Sequence, residues 1–106
     1  MRKCLLILFF AFAAAGASAA QIDTVAVFSA KMQREIPVLV VVPDAGVGRR
    51  MPVLYLLHGF GGSYTTWQNI TDLRPLADAC GMIVVCPDGA NSWYWDSPLD
   101  PASQFE

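Results

Sequence analysis

P-V-L-Y-L-L-H-G-F-G-G-S, residues Pro52 to Ser63, is the stretch whose reading decides the fold. A short apolar run, Val53 to Leu57, stops abruptly at His58-Gly59, then Phe60 and a glycine pair. Its near-continuous apolar character predicts a strand buried on both faces, as in a parallel sheet. A buried strand that ends in a glycine-rich turn brings backbone N–H groups to the edge of a sheet. That geometry suits an oxyanion hole, in which amide donors point at one oxygen.

Outward from this stretch the pattern is regular. Ile22 to Ala30 is β-branched and alternating and predicts a first strand. Lys31 to Glu35 is a polar turn, and Ile36 to Val42, valine-rich and bounded by Pro37 and Pro43, predicts a second strand. The two make an antiparallel hairpin. Asp44 to Met51, with two glycines and two arginines, is a surface loop. Downstream, Leu73, Leu76, Ala77 and Cys80 fall at helical spacing, so a helix is expected over Thr71 to Cys80. Thr71 or Asp72 serves as N-cap, Pro75 sits near the first turn and Gly81 at the left-handed C-terminal position. Met82 to Cys86 is a fourth strand, closed by Pro87-Asp88-Gly89. The expected fold class is α/β: an antiparallel hairpin leading into a parallel βαβ unit with a right-handed crossover. No internal repeat or low-complexity segment interrupts it.

The first twenty residues read differently. Arg2 and Lys3 precede an uninterrupted apolar stretch, Leu5 to Ala15, and Ala17-Ser18-Ala19 is an A-x-A site. This is the pattern of a secretory signal peptide over residues 1–20, cleaved after Ala19 or Ala20. Its apolar core of eleven residues is short of the roughly 18–20 that span a bilayer, so no stable membrane span is expected and the protein is placed outside the cytoplasm, secreted or periplasmic. Cys4 precedes the apolar stretch, the wrong side for a lipid-modified cysteine.

Residues 21–106 hold five basic against nine acidic side chains, a net charge of −4, with no basic cluster beyond Arg49-Arg50. Nucleic-acid binding is therefore not expected. Cys80 and Cys86 remain after cleavage. An extended strand advances about 3.3 Å per residue. This carries the pair beyond the roughly 4.4–6.8 Å between Cα atoms that a disulfide tolerates, so both read as small buried hydrophobes. No C-x-x-C and no His/Cys/carboxylate cluster points to a metal, and no cofactor is called for. No feature speaks to oligomeric state.

A family resemblance rests on P-V-L-Y-L-L-H-G-F-G-G-S-Y-T-T-W, then I-V-V-C-P-D-G, then N-S-W-Y-W-D. Together these resemble the esterase D branch of the α/β-hydrolases, which includes S-formylglutathione hydrolases, tributyrin-type esterases, feruloyl and acetylxylan esterases and mycolyltransferases. The resemblance covers Ile22 to Glu106 and implies the N-terminal portion of an α/β-hydrolase domain in an exported serine-type ester hydrolase. Its substrate would be a small-molecule or polysaccharide-linked ester. The residue after H-G, here Phe60, would donate one backbone N–H to the oxyanion hole. The family's nucleophile sits in a G-x-S-x-G elbow, absent here, so the resemblance places Ser, Asp and His, in that order, beyond Glu106. The 106-residue chain alone is then expected to be inactive. The other reading is a secreted α/β-hydrolase-like domain that binds without turnover.

The remaining candidates carry two readings each. His58, the only histidine, braces the H-G turn rather than acting as a base, because a base needs a serine and a carboxylate in reach. Gly59, Gly61 and Gly62 answer the needs of a tight turn, Gly59 also lying where substrate would approach. Trp93, Tyr94 and Trp95 are either cover over the sheet edge or a wall of the substrate pocket at the carboxyl ends of the strands. Trp67 reads as core, Asp88 as a turn residue.

Overall fold

A computed structural model describes residues 19–46 and 48–106. The leader expected over residues 1–20 lies outside them, apart from Ala19 and Ala20. The described elements run β1 (Gln21–Ser29), β2 (Arg34–Val42), β3 (Val53–Tyr55), α1 (Thr66–Ile70), α2 (Leu73–Cys80) and β4 (Ile83–Pro87), with a 3-10 turn at Asp44–Gly46. Among them no helix is long and apolar enough to cross a membrane.

β1 and β2 form the expected antiparallel hairpin, in register from Gln21↔Val42 to Ser29↔Arg34. Its loop closes with Gln33 in the left-handed region (φ 52°) and with the Met32 N–H donating to Ser29 Oγ at 3.2 Å. β4 lies parallel to β3, as a βαβ unit requires, from Val53↔Ile83 to Tyr55↔Val85. Its other edge pairs antiparallel with β2, from Val41↔Val84 to Val38↔Pro87, so the sheet order is β1-β2-β4-β3.

That order corrects one expectation. β3 is not buried on both faces: Val53 is 44% and Tyr55 65% exposed. β4 takes the interior position, and β3 is paired on one edge only among the described residues. Tyr55 also stands opposite Val85, next to the inward-facing Val84 and Cys86. Successive side chains alternate between faces, so Tyr55 is on the side of the sheet away from the core.

The core is the other side. Leu39 and Val41 of β2, Val84 and Cys86 of β4, and Leu73 and Ala77 of α2 are buried together with Ala20, and Ile22, Leu56, Tyr64, Trp67 and Leu76 pack around them. α2 starts at Leu73 because Asp72 caps it, accepting the Arg74 N–H at 3.1 Å. Pro75 falls in the first turn, where no intrahelical N–H is needed. Gly81, with φ 62°, ends the helix and donates its N–H to Ala77 O. The short α1 was not expected. Gln68 links it to α2, accepting the Leu73 N–H at 2.9 Å and donating to Asp72 Oδ1 at 3.1 Å.

Cys86 is a free, buried thiol, which burial pushes above its ordinary pKa. Cys86 fits the reading as a small buried residue, while Cys80, at the end of α2, is half-buried. The polar, aromatic segment after β4 folds back on the hairpin end. Lys31 pairs with Asp96, and the Arg34 guanidinium lies 5.3 Å from the centre of the Phe105 ring.

Candidate functional site

β3 and β4 are neighbours and parallel, so the loops that follow them leave the same edge of the sheet. After β3 the chain stays in the ladder for one more bond, Leu56 N–H to Val85 O at 2.9 Å, and then turns. The turn is Gly59-Phe60-Gly61-Gly62, closed by the Gly62 N–H donating to Gly59 O at 3.0 Å. Gly61 has φ 78°. A positive φ at the third residue makes this a type II turn, which favours glycine there. Gly62 is glycine for space: a Cβ would lie 2.8 Å from Thr66 Oγ1 and 3.0 Å from His58 Nδ1.

Phe60 stands at the second turn position with its side chain 80% exposed. No described residue accepts from its N–H, whereas the next amide, Gly61 N–H, is taken by Asn91 Oδ1 at 2.9 Å. The turn thus presents the Phe60 N–H, and the Gly59 N–H before it, without an acceptor among the described residues, beyond the carboxyl end of β3.

His58 is 4% exposed and both ring nitrogens face backbone. Nε2 accepts the Gly89 N–H at 3.0 Å and Nδ1 lies 2.8 Å from Gly59 O. An acceptor at Nε2 and a donor at Nδ1 define the neutral Nδ1–H tautomer, assigned from its partners. The ring spans the two loops, with neither nitrogen open to a substrate. Asp88 Oδ1 lies 3.7 Å from Nε2 and accepts the Ala90 N–H at 2.7 Å.

The loop after β4 is bound to this turn at several points. The Tyr94 hydroxyl donates to His58 O at 2.8 Å, and its ring meets the imidazole edge to face, centroids 5.7 Å apart. Burial pushes the Tyr94 phenol above its ordinary pKa, and the Asp88 charge adds to the shift. The ring passes so close to Gly89 that a Cβ there would fall 2.1 Å from Tyr94 Cε1. Ala90, Trp93 and Tyr94 all adopt left-handed backbone, φ 48°, 59° and 57°, a conformation that costs a non-glycine residue on the order of 1 kcal/mol or more. Ser92 holds the loop in that shape. It is buried, donates through Oγ to Gly89 O at 2.5 Å and accepts the Tyr94 N–H at 3.0 Å.

The structure therefore brings His58, Gly59, Gly61, Gly62 and Tyr94 into one bonded cluster. Trp93 and Trp95 project outward, 78% and 61% exposed, and do not cover the sheet. Trp67 packs against the core and donates through Nε1 to Leu57 O at 3.1 Å. Asn91, Ser92 and Gly89 were missed by sequence reasoning. Their one signal is that they sit within P-D-G-A-N-S-W-Y, the segment that carries the resemblance. Ser63 is committed to local bonds, its Oγ 2.8 Å from Thr65 Oγ1. Among the described residues no group of three or more His, Cys, Asp or Glu side chains could hold a metal. A cavity of about 180 Å³ borders Asp88 and Ala90, but is lined otherwise by Arg34 to Pro37 and Phe105, away from the turn.

A protein-family profile described as "Putative esterase" matches residues 29–105. No curated protein sequence matches. Among solved structures, an S-formylglutathione hydrolase from Agrobacterium tumefaciens is 20% identical with a TM-score of 0.73, over 84% of this chain and 39% of that one. The fluorophosphonate-binding serine hydrolase F of Staphylococcus aureus is 22% identical, TM-score 0.62, over 72% of this chain and 32% of that one. A ferulic acid esterase from Anaeromyces mucronatus, in complex with ferulic acid, is 22% identical, TM-score 0.57, over 78% and 32%. The likeness is one of fold, and this chain spans at most about two-fifths of the length of these structures.

Proposed function

Because the chain belongs to the esterase family whose profile covers residues 29–105, we propose that its two loops form the oxyanion side of the active site in an exported serine-type carboxylic ester hydrolase of the esterase D kind. The observation that carries this reading is the Phe60 N–H. It is unengaged, at the carboxyl end of a parallel strand, and the two amides that follow it, at Gly61 and Gly62, are both occupied.

A serine supplied from beyond Glu106 attacks the ester carbonyl, and the carbonyl oxygen takes up negative charge. Phe60 N–H donates to that oxygen, together with the N–H of the residue after the serine. Collapse of the tetrahedral intermediate expels the alcohol and leaves an acyl-enzyme, which water hydrolyses in a second passage through the same hole. Preorganisation is the contribution of this chain. His58, Asn91 and Tyr94 hold the turn before substrate arrives, so no reorganisation is needed as charge develops. Gly59, Trp93 and Tyr94 line the approach of the ester, Trp93 offering an exposed flat apolar face. The N-terminal leader, cleaved after Ala19 or Ala20, directs export to a secreted or periplasmic location.

Reading the coding sequence past Glu106 tests this first. A further strand ending in G-x-S-x-G, then Asp and His, is expected, and the encoded protein should release nitrophenol from a short-chain nitrophenyl ester. A stop codon with no such continuation, or a full-length protein that binds esters without turnover, overturns it.

A further inference from the structure

Asp78, on α2, is bonded away from its own helix. Oδ2 accepts the N–H groups of Ala19 and Ala20, each at 3.0 Å. Oδ1 accepts the Asp44 N–H at 3.1 Å. One carboxylate thus ties the lead-in to β1 and the exit of β2 to α2. Ala20 itself is buried, 7% exposed, in the core cluster with Leu39, Val41, Leu73 and Ala77. The residues that Asp78 grips are those at which the sequence places leader cleavage, with the bond after Ala19 and the bond after Ala20 both open.

We propose that the leader is cut between Ala19 and Ala20, and that the new α-ammonium of Ala20 is held by the Asp78 carboxylate as the anchor of the mature chain. The inference rests on the export reading above. In the cut, performed by a signal peptidase, water adds across the Ala19–Ala20 amide. Ala19 leaves as a carboxylate and Ala20 nitrogen gains the protons that make it an ammonium. That nitrogen is already within hydrogen-bond distance of Oδ2, so cleavage exchanges an amide donor for a charged one. The amide bonds already carry charge on the carboxylate side; the ammonium adds the second charge and turns one of them into an ion pair. A cut after Ala20 would instead remove a core side chain and take both of these donors from Asp78. The other ionisable groups on the described elements meeting here are Asp23 on β1, Arg34 and Glu35 at the far end of β2, Asp44 after β2, the Asp72–Arg74 pair on α2 and the Cys86 thiol on β4. Arg74 is engaged by Asp72, and Arg34, at the opposite end of the hairpin, lies over the Phe105 ring.

The test uses the full-length protein expressed with its leader in a secreting bacterium. N-terminal sequencing and intact mass identify the first residue, and the rate of labelling by an amine reagent across pH gives the α-amino pKa. We expect a chain that starts at Ala20. Its native α-amino pKa should lie above that of the same protein in urea, where the ordinary range is about 7.7–8.0. Asp78→Asn should return it toward the urea value; one unit corresponds to about tenfold faster labelling at neutral pH. Burial alone would lower this pKa, so the sign separates an anchor from simple packing. If Asp78→Asn does not fold, the native-against-urea comparison on the unaltered protein still decides. A start at any other residue, or a native pKa at or below the urea value, overturns the anchor and leaves export standing. Recovery of the unprocessed chain overturns both.

Discussion

At the scale of single residues, the type II turn makes the oxyanion proposal separable from its side chain. Phe60 occupies the second turn position, where φ near −60° suits proline. Phe60→Pro therefore deletes the N–H with little disturbance to the turn itself, although it restricts Gly59. In the full-length esterase it should lower kcat by about 10²–10³, the scale of one lost oxyanion donor, while Phe60→Ala keeps the donor and should cost little. Steady-state kinetics on a nitrophenyl ester, with circular dichroism to confirm folding, check the pair; near-normal turnover in a folded Phe60→Pro protein would make the turn structural only. Gly89 probes the opposite loop. Gly89→Ala drives a Cβ into the Tyr94 ring and should cost about 1–3 kcal/mol of stability, the range for overpacking. Placed in a Tyr94→Ala background the same change should cost much less, which a double-mutant cycle by denaturant unfolding reads directly.

At the scale of elements, α2 depends on its cap and on one buried leucine. The Arg74 guanidinium holds the Asp72 carboxyl well below the usual carboxylate range, with Gln68 and the Arg74 N–H adding to it. A depressed carboxylate contributes stability that is present above its unfolded pKa and lost as pH falls through the folded one. The cap is therefore intact from neutral pH down past the ordinary value of 3.8 and fails only in stronger acid. Asp72→Ala should cost about 0.5–2 kcal/mol at neutral pH. Leu73, 1% exposed and central to the core, is a different case: Leu73→Ala should cost about 2–5 kcal/mol, loss of burial plus the cavity left behind. Urea titrations of the full-length variants distinguish the two.

At the scale of the whole molecule, the 106-residue chain assayed by itself should release no nitrophenol. Both nitrogens of its one histidine are turned to backbone, and an oxyanion donor has no attacking group of its own. Much of this architecture was legible in the sequence for local reasons. The hairpin followed from alternation about a polar turn, α2 from Leu73, Leu76, Ala77 and Cys80 between Asp72 and Gly81, and the β3 turn from His58-Gly59 at the end of an apolar run. Periodicity and turn chemistry act over a few residues, so each could be read in place. Tertiary structure alone decided the rest. β4 lies between β2 and β3 because strand order depends on which edges meet, and the apolar content of β3 is the same at a margin as in an interior. The binding of Asn91 to Gly61, of Tyr94 to His58, and of Asp78 to Ala19 and Ala20 joins residues 30 to 59 apart in sequence. No local pattern encodes such pairs; they exist only once the sheet has set the ends of β3 and β4 side by side and packed α2 against the start of β1.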